Sequence, residues 1–525
     1  MKNLSKSRYT AFCQCPKNLW LKVNKPEEAT VDDAVQARFE QGNEVGNLAR
    51  KLFGEYVDVT VHKENGNLDL AAMVEKTRQE MEKGTETICE ASFSCLLKCL
   101  ASDSDEPFAT GSQISNYCAV DILRKDGDGW AMYEVKSSSF PEFEGQTAKL
   151  EKYAPDMAYQ KWVLENCGIK VTKTILVCLN ANYVRQGELD LQGLFVCVDM
   201  GELVASEYEL VERNVRKAMH LLDKEEPDLD LSERCHNYGC AFLNYCKRQH
   251  GVPEDEPTVF DLYRMWFDKK LEHYHAGRVT FEQLRGEKLN DKQQMQVECT
   301  LNGTEYIDKD AIRNFLDTLK GTLYFLDFET MQDAVPQYDN AKVYAQIPFQ
   351  YSLHIVNPDT GDIEHREFLA ENDGSDPRRK LAERLCNDIP MNACTLAYNK
   401  KFECDCLSEL AALYPDLAVH LLNIADHILD LLDPFRKGYY YVPAMGGSFS
   451  IKSVLPALFP EDPELNYHNL DARVQNGGDA MTIFPRIQQM PPEEAAACRE
   501  ALLRYCELDT WAMVKIWQKL KKMAE

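Results

Sequence analysis

A glycine-containing turn, KDGDG at 125–129, separates two short runs rich in β-branched and aromatic residues. This pattern predicts a β-hairpin with strands at about 117–124 and 130–135. Helical periodicity lies on both sides of the hairpin, which excludes an all-β or all-α chain. Further elements are predicted as helices at 31–53, 68–81 and about 155–166, and as strands at 87–93 and 172–179. The first part of the chain is therefore predicted to have a mixed α/β fold.

A second set of strand and helix signals begins near residue 323. Hydrophobic strands are predicted at 323–328, 350–356 and 394–397, with a long final helix at about 492–522. The preceding segment opens with the linker-like sequence HGVPEDEP and continues with polar, helical spacing. A chain of 525 residues is long enough for several domains. We predict an α/β domain at 1-250, a helical connector at 251-320 and a second α/β domain at 321-525.

The net charge is strongly negative, because 85 acidic residues outnumber 59 Lys and Arg residues to give −26. This charge repels nucleic acid and anionic membranes, so any contact with a polyanion must be local. The opening segment LSKSRYTAFCQCPKNLWLKV carries Lys6, Arg8, Lys17 and Lys22 without an acid, which predicts a basic patch. No apolar run reaches the roughly 18 residues that span a bilayer, and no signal-peptide core opens the chain. We therefore expect a cytoplasmic protein without a membrane partner.

Four polar residues on and after the hairpin form a first candidate site. Asp121 lies on one strand, and Glu134 and Lys136 lie two apart, and so on one face, of the next. Two carboxylates and an ammonium can hold a hard divalent cation and stabilise a water that attacks phosphorus. Gln160, on the following helix, is placed to orient them. The alternative interpretation is a surface hairpin with an ordinary salt bridge.

These residues resemble the RecB-like branch of the PD-(D/E)xK nucleases, in which an Asp, a Glu-x-Lys and a helical Gln carry the site. The resemblance implies a restriction-endonuclease-like fold and catalytic roles for Asp121, Glu134, Lys136 and Gln160. Val120 stands at the position of the Pro in the PD-(D/E)xK motif. The first-helix His typical of the branch is missing from GNEVGNLARKLF, where Glu44 is the candidate replacement.

Nineteen cysteines are present, and in a cytoplasmic protein they stay reduced. Three of them are closely spaced, at Cys235, Cys240 and Cys246, and Cys15 precedes Pro16 far away in the sequence. Their spacing leaves an Fe–S cluster, a zinc site and ordinary buried cysteines open. The arrangement resembles iron-sulfur nucleases related to RecB, which implies that these four bind a structural 4Fe-4S cluster. Cys13 is the reserve ligand.

A third group of residues lies in the second α/β region. The strand sequence YFLDFET places Asp327 and Glu329 on one face, and Tyr505 and Asp509 in YCELDT share a helix face. Glu403 lies between them in AYNKKFECDCL. Four converging acids can hold two metal ions, and a tyrosine can position water. The alternative is that these acids, among 85, belong to the solvated surface.

This third group is similar to the DnaQ-like DEDD 3′-5′ exonucleases of the ribonuclease H-like fold, with motifs DxE, NxxFD and YxxxD. Glu403 replaces the Asp of the second motif, and Asp405 is an alternative ligand. Asp430, Ser450 and Lys452 are candidates for supporting roles. The resemblance implies Mg²⁺ or Mn²⁺ bound by Asp327, Glu329, Glu403 and Asp509. The corresponding metal ligands of the first site are Asp121 and Glu134.

Nearly the whole chain resembles an uncharacterised bacterial family that ends in the domain of unknown function 2779. The motifs that carry this resemblance are LSKSRYTAFCQCPKNLWL, EASF, YEVKSS, YFLDFET, IPFQYS and YCELDT. The resemblance implies two metal-dependent sites that hydrolyse phosphodiester bonds. Single-stranded DNA is the expected partner, because a local basic patch on an acidic chain suits a narrow channel, and RNA is also compatible. The rival hypotheses are a nucleic-acid-binding scaffold with inactive sites, an RNA-processing exonuclease and a zinc-stabilised interaction protein.

Overall fold

A computed structural model describes residues 2–30, 34–98, 113–140 and 150–525. The chain divides by its internal contacts into two compact units. The first unit contains Met1–Gly251 and Asp333–Tyr344, and the second contains Val252–Gln332 and Ala345–Glu525. The segment predicted as a connector thus groups with the second unit. Its role between two nuclease domains stays a prediction.

The first unit contains a mixed sheet with helices packed against it. Its strands are β1 (Lys2–Ser5), β2 (Val57–Asp58), β3 (Thr87–Lys98), β4 (Gln113–Asp126), β5 (Gly129–Phe140), β6 (Val171–Asn180) and β7 (Phe195–Asp199). Its helices are α1 (Lys6–Gln14), α2 (Pro16–Asn24), α3 (Ala34–Ala49), α4 (Leu70–Lys83), α5 (Ala154–Asn166), α6 (Leu191–Leu194), α7 (Gly201–Leu221), α8 (Glu233–Asn237) and α9 (Leu243–Gln249). The predicted hairpin and its flanking helix and strand are confirmed. Residues 31–33 of the predicted first long helix lie outside the described residues.

The sheet of the first unit forks between β4 and β5. The strand order is β2-β3-β4-β5-β6-β7, and β1 also pairs with β4 in parallel. β1 takes the edge of β4 at Ile114–Tyr117, whereas β5 pairs with β4 only at Ile122–Asp126. Side chains just inside the fork can therefore face each other without a backbone ladder between them. Asp121 lies at this point.

Helix α5 supports the fork from one face of the sheet. Its Tyr159 is fully buried, stacks on Tyr9 of α1 at 4.7 Å between ring centroids, and donates a 2.8 Å hydrogen bond to the carbonyl of Leu4. Buried aromatic pairs of this kind combine large apolar burial with a fixed ring geometry. The packing fixes α5, and with it Gln160, relative to β1 and the start of α1.

The segment Asp333–Tyr344 joins the first unit although it interrupts the second in sequence. Arg185 donates to the carbonyl of Pro336 at 2.9 Å, and the hydroxyl of Tyr344 donates to the carbonyl of Ser137 at 2.6 Å. Ala334, Val335 and Val343 belong to a buried cluster of the first unit. The segment therefore anchors the strand end that follows Lys136.

The second unit is built on a five-stranded sheet of order β11-β10-β9-β12-β13. Its strands are β8 (Tyr306–Ile307), β9 (Leu323–Met331), β10 (Ile347–Val356), β11 (Ile363–Leu369), β12 (Cys394–Ala397), β13 (Ile428–Asp430) and β14 (Tyr440–Tyr441). Its helices are α10 (Phe267–His275), α11 (Phe281–Leu284), α12 (Asp291–Asn302), α13 (Lys309–Leu316), α14 (Arg378–Asp388), α15 (Lys401–Leu413), α16 (Ala418–Asp426), α17 (Asp433–Arg436), α18 (Ile451–Leu458), α19 (Gly477–Ile483) and α20 (Pro492–Ala524). β9 pairs antiparallel with β10 and parallel with β12. A mixed α/β fold is therefore confirmed here as well.

Helix α20 lies against the central strands of this sheet. Every residue of β10 is buried, as expected for a strand covered on both faces. Gln350 of β10 donates to the carbonyl of Leu502 in α20 at 2.9 Å, and Phe325 of β9 contacts Trp517 of α20. The packing brings the acidic positions of β9 beside α20. Across the described part of the chain, no helix combines the length and apolar character needed to cross a bilayer.

Candidate functional sites

The fork in the first sheet sets the position of Asp121. Its Oδ2 accepts a 2.7 Å hydrogen bond from the backbone N–H of Val135, the residue between Glu134 and Lys136. This side-chain hydrogen bond takes the place of the backbone hydrogen bond that would join β4 and β5 if the two strands stayed paired at this point. Asp121, Glu134 and Lys136 are held together as the sequence predicts.

Glu134 is 1% exposed and is surrounded by donors. Lys136 donates to its Oε1 at 2.6 Å, and Gln160 donates to its Oε2 at 2.7 Å. Lys6, the first residue of α1, lies 3.0 Å from Oε1 and 3.2 Å from Oε2. Because a buried carboxylate requires partners for its charge, these contacts keep Glu134 ionised.

The structure adds two residues to this site, Asp156 and Lys6, that the sequence does not predict as site residues. Asp156, one helical turn before Gln160 on α5, accepts from Lys136 at 3.2 Å and from Gln160 at 3.1 Å. Lys6 was noted only as part of the basic opening segment, and β1 brings it to the fork. The signals available were the i, i+4 spacing of Asp156 and Gln160 and a lysine directly after a strand.

Electrostatics divide the acids of this site into two kinds. Burial alone would raise the pKa of Glu134, but Lys136 and then Lys6 hold it well below its usual range. Burial, followed by the charge of Glu134, raises the pKa of Asp121 to about 7. The same two causes raise the pKa of Asp156. A divalent cation beside Asp121 would favour its ionised form.

Glu44 is the candidate replacement for the histidine that the first site lacks. Glu44 lies beside Asp333, whose pKa is raised to about 6 by burial and then by Glu44. Its proposed replacement of the missing histidine stays a prediction.

In the basic opening segment, Lys17 is buried and lies 3.3 Å from Glu226, and Lys25 lies 2.9 Å from the same carboxylate. These two lysines brace the fold, so the predicted basic patch is partly internal.

The four predicted cysteines come together at the end of the first unit. Cys15 lies in extended backbone between α1 and α2, and the N–H of Cys240 donates to the carbonyl of Cys235 at 3.0 Å. The backbone N–H of Thr30 donates to the carbonyl of Ala241 at 2.9 Å, which ties the opening segment to the cysteine loop. Long-range contacts thus bring Cys15 to a loop more than 200 residues away in sequence.

The thiols influence one another electrostatically. Burial, and then the neighbouring thiols of Cys240, Cys235 and Cys15, raise the pKa of Cys246 to about 12. Burial, followed by Cys235 and Cys15, raises that of Cys240. Cys13 has other neighbours, because its pKa reflects burial, Tyr9 and Glu207. Cys235 and Cys15 thus lie near enough to Cys240 and Cys246 to affect their pKa values, and a metal or cluster bound there would neutralise the thiolates.

The predicted residues of the second unit line one cavity of about 360 Å³. β9 contributes Asp327 and Glu329, and α15 contributes Glu403. α20 contributes Tyr505 and Asp509, which lie one helical turn apart. Four acids from three elements therefore face the same space.

Glu403, rather than its neighbour Asp405, points into this cavity. Glu403 is 2% exposed, and its Oε2 is buried without a hydrogen-bond partner. Asp405 is exposed and lies 2.5 Å from Lys401 on the outer face of α15. A buried carboxylate oxygen without a donor is costly unless a proton or a cation satisfies it. The donor set therefore fits a divalent metal ion.

The acids of this cavity resist ionisation in the absence of a cation. Burial, followed by Asp509, Glu329 and Glu403, raises the pKa of Asp327 well above its usual range. Burial and then Asp509 do the same for Glu329. Burial, with a smaller contribution from Asp430, raises the pKa of Glu403 to about 8. Burial raises that of Asp509 to about 6.

Tyr505 and Lys452 also line the cavity, and Tyr467 contacts one of its acids, Asp509. The hydroxyl of Tyr467 donates a hydrogen bond to Asp509 Oδ1, and this bond, followed by Lys452 and Tyr505, keeps the pKa of Asp509 lower than burial alone would make it. Lys452 lines the cavity with its ammonium 5.5 Å from the ring centroid of Tyr467 and 5.4 Å from that of Tyr505. The sequence carries no signal for Tyr467, because a single 3₁₀ turn, Tyr467–Asn469, supplies it.

Asp430 and Ser450, the remaining candidate residues of the second unit, differ in what they contact. Asp430 accepts from the N–H of Asn399 at 2.9 Å and lies 3.2 Å from Arg436, so it braces the loop before α15. Asn399 adopts a left-handed conformation with φ of 70°. Ser450 is exposed and lies 3.0 Å from the hydroxyl of Ser453. Asp430 thus supports the position of Glu403, whereas Ser450 begins α18.

Comparisons with known proteins found one matching sequence family and two uncharacterised relatives. Residues 324–450 match the family described as Domain of unknown function (DUF2779). The chain is 26% identical over 231 residues to "Uncharacterized protein UU173" of Ureaplasma parvum, which covers 39% of this chain and 32% of that protein. It is 25% identical over 217 residues to "Uncharacterized protein MG366 homolog" of Mycoplasma pneumoniae, covering 38% and 32%. The chain thus spans about a third of the length of these curated relatives, and no solved structure matches it.

Proposed function

We propose that the chain is a metal-dependent nuclease with two sites that hydrolyse phosphodiester bonds. The observation that supports this most directly is the convergence of four acids on one cavity, three of them buried, where one oxygen of Glu403 has no hydrogen-bond donor and a cation would satisfy it. Surface acids would be solvated and would keep ordinary pKa values. The strand arrangement β11-β10-β9-β12-β13 is compatible with the ribonuclease H-like assignment.

In the second unit, Asp327, Glu329, Glu403 and Asp509 are the residues that would hold Mg²⁺ or Mn²⁺. When bound, the ions would supply Lewis-acid stabilisation of charge on a phosphate. Lys452 lies at the cavity wall, where its ammonium can attract a phosphate oxygen. Tyr467 and Tyr505 hold Asp509 in place. This proposal gives Tyr505 a positioning role toward Asp509 in addition to any contact with water.

In the first unit, Asp121 and Glu134 would hold the metal ion. Lys136 is positioned by Glu134 and Asp156 and can stabilise negative charge on the scissile phosphate. Lys6 adds a second ammonium at the same carboxylate. Gln160 orients Glu134 through its amide. These contacts support the RecB-like PD-(D/E)xK assignment.

The cysteines at positions 15, 235, 240 and 246 would bind a 4Fe-4S cluster that holds the opening helices against the end of the first unit. The bond between Thr30 and Ala241 and the ion pairs of Glu226 already join the same segments. A cluster would join these segments through bonds from iron to the four thiolates. A tetrahedrally coordinated zinc ion is the alternative. No redox step is assigned to it.

Single-stranded DNA is the proposed substrate, and RNA is the second candidate. The net charge of −26 disfavours a broad duplex-binding face. The lysines at the two sites, Lys6, Lys136 and Lys452, provide local positive charge beside the acids. A scaffold that binds nucleic acid without cleaving it is the competing function, since the first site lacks the histidine of its branch.

The test is cleavage of end-labelled single-stranded and double-stranded DNA and RNA by the full chain with Mg²⁺ or Mn²⁺. Lys136→Ala and Asp327→Ala should each remove a different part of the products, and the double variant should remove all of them. Lys170→Ala, an exposed lysine paired with Asp128, is the control for Lys136. Binding without cleavage by the wild-type chain would replace the nuclease proposal with the scaffold.

A further inference from the structure

A second group of metal-type ligands lies in the second unit, apart from the acids of the cavity described above. His354 of β10 and His365 of β11 are direct cross-strand partners, and their rings stack at 4.5 Å between centroids. Glu507 of α20 faces them, and one ligand atom from each of the three side chains lies within 4.8 Å of the other two. Two imidazoles and a carboxylate form a donor set typical of transition-metal sites.

Two hydroxyl groups form a hydrogen bond with one nitrogen of each histidine. His365 Nε2 lies 2.9 Å from Ser352 Oγ, and His354 Nδ1 lies 2.8 Å from Thr510 Oγ1. The two hydroxyls lie 2.7 Å apart, and Thr510 donates to the carbonyl of Glu507 at 3.1 Å. Metal-binding histidines are commonly oriented in this way by a hydrogen bond at the second ring nitrogen.

The two hydroxyls and the two imidazoles form one hydrogen-bonded chain in the order His365, Ser352, Thr510 and His354, in which each hydroxyl can donate or accept. In the tautomers in which His365 Nε2 and His354 Nδ1 donate into this chain, the other nitrogen of each ring carries a lone pair that can bind a metal ion.

The free nitrogen of His365 faces a negative group. Its Nδ1 lies 3.9 Å from Glu507 Oε1, too far for a hydrogen bond but close enough for an ion about 2.1 Å from each atom. A divalent cation between the two atoms would accept electron pairs from both the imidazole and the carboxylate.

Space for a further ligand lies beside two of the three side chains, His354 and Glu507. A cavity of about 360 Å³ is lined by His354, Glu507 and Trp511, together with Leu508, Glu464 and Arg504. Three protein ligands beside an open space are typical of metal sites that keep one position for water or another ligand.

We propose that His354, His365 and Glu507 bind one divalent transition-metal ion, with Zn²⁺ as the first candidate, and leave a coordination position open to this cavity. Mixed nitrogen and oxygen donors favour Zn²⁺ over Mg²⁺, which prefers oxygen ligands. The site would fix α20 against β10 and β11. It is separate in ligands and in metal preference from the acids that include Asp327 and Asp509.

The test is zinc uptake by the full chain during equilibrium dialysis against Zn²⁺ in the presence of excess Mg²⁺, with metals counted by mass spectrometry. Wild type should bind one more zinc per chain than His365→Gln or Glu507→Gln. His427→Gln, an exposed histidine that bonds only a backbone carbonyl of α16 in the described contacts, is the matched control and should bind as wild type does. Asp327→Ala should also retain the extra zinc.

A second readout guards against misfolding of a variant. Glu507 is partly exposed, so Glu507→Gln should keep the metal-free melting temperature within a few degrees while losing the zinc-induced increase. Equal zinc content in wild type and both variants would overturn the proposal and assign the zinc to the cysteines or the acidic cavity. An equal loss of zinc in His427→Gln would overturn it as well.

Discussion

The buried acids of the two proposed nuclease sites differ in what neutralises them. Glu134 accepts hydrogen bonds from Lys6 and Lys136, so its charge is balanced within the protein. Asp327 is surrounded by other acids, and its pKa is raised accordingly. Glu403 has an oxygen without any donor. The second site therefore depends more strongly on a bound cation than the first.

The first prediction compares two acids that lie two residues apart on α15. Glu403→Ala should reduce cleavage by the second site by on the order of 100-fold or more, because it removes a buried metal ligand. Glu403→Asp should stay within about tenfold of wild type, since the related motif has Asp at this position. Asp405→Ala is the control and should leave the rate unchanged, because Asp405 is exposed and paired with Lys401. Initial rates on a labelled single strand measure all three, and an equal loss in Asp405→Ala would contradict the assignment.

At the scale of elements, side chains two apart on a strand could be predicted to share a face, and they do. Asp327 and Glu329 follow from the strand period, and Tyr505 and Asp509 follow from the helix period. Both pairs therefore needed only local information. The strand at Cys394–Ala397 was predicted with its observed bounds for the same reason.

Features that arise from long-range pairing were not predicted. Lys6 reaches Glu134 because β1 pairs with β4 over a separation of more than 100 residues, and no local pattern encodes that register. The cross-strand histidines His354 and His365 depend on the register of β10 and β11. The packing of Asp333–Tyr344 with the first unit also follows from tertiary contacts and not from a local sequence pattern.

The second prediction concerns the junction of α1, α2 and the cysteine loop. Cys240→Ser should remove the brown colour and about four irons per chain from anaerobically purified protein, because four thiolates hold such a cluster. The melting temperature of the first unit should fall as well, since the junction loses its link. Cys13→Ser should retain the iron, because Cys13 lies beside Tyr9 rather than with the other thiols. Stoichiometric zinc without iron in the wild-type preparation would establish the tetrahedral alternative.

At the scale of the whole molecule, the raised carboxyl pKa values make the metal-free protein sensitive to pH. Asp509, Asp121 and Glu403 have folded pKa values of about 6, 7 and 8, above the values of about 4 expected in an unfolded chain. Between about pH 4 and pH 8 the folded state therefore binds more protons than the unfolded state. The stability contributed by these groups is present at low pH and is lost as the pH rises through the folded pKa values.

The third prediction follows from this loss of stability with rising pH. The melting temperature of metal-free protein should decrease from pH 5 to pH 8, and it should decrease less in Glu403→Gln, which cannot ionise at that position. Mn²⁺ should raise the melting temperature more at pH 8 than at pH 5, because it binds the ionised carboxylates. Differential scanning fluorimetry at matched ionic strength measures both effects. Identical pH profiles for wild type and Glu403→Gln would show that this carboxylate is not buried as described.

We propose that the acidic cavity of the second unit is the active site of a 3′-end-directed exonuclease. The most direct measurement is release of mononucleotides from a 3′-labelled single strand by the full chain carrying Lys136→Ala, so that only the second site is active. We expect Mn²⁺-dependent release from the 3′ end, which is slowed by a blocked 3′ hydroxyl and abolished by adding Asp327→Ala. Tyr505→Phe should reduce it less, because Tyr467 still holds Asp509. Release from the 5′ end, or activity that survives Asp327→Ala unchanged, would rule out a 3′-end-directed exonuclease in this cavity.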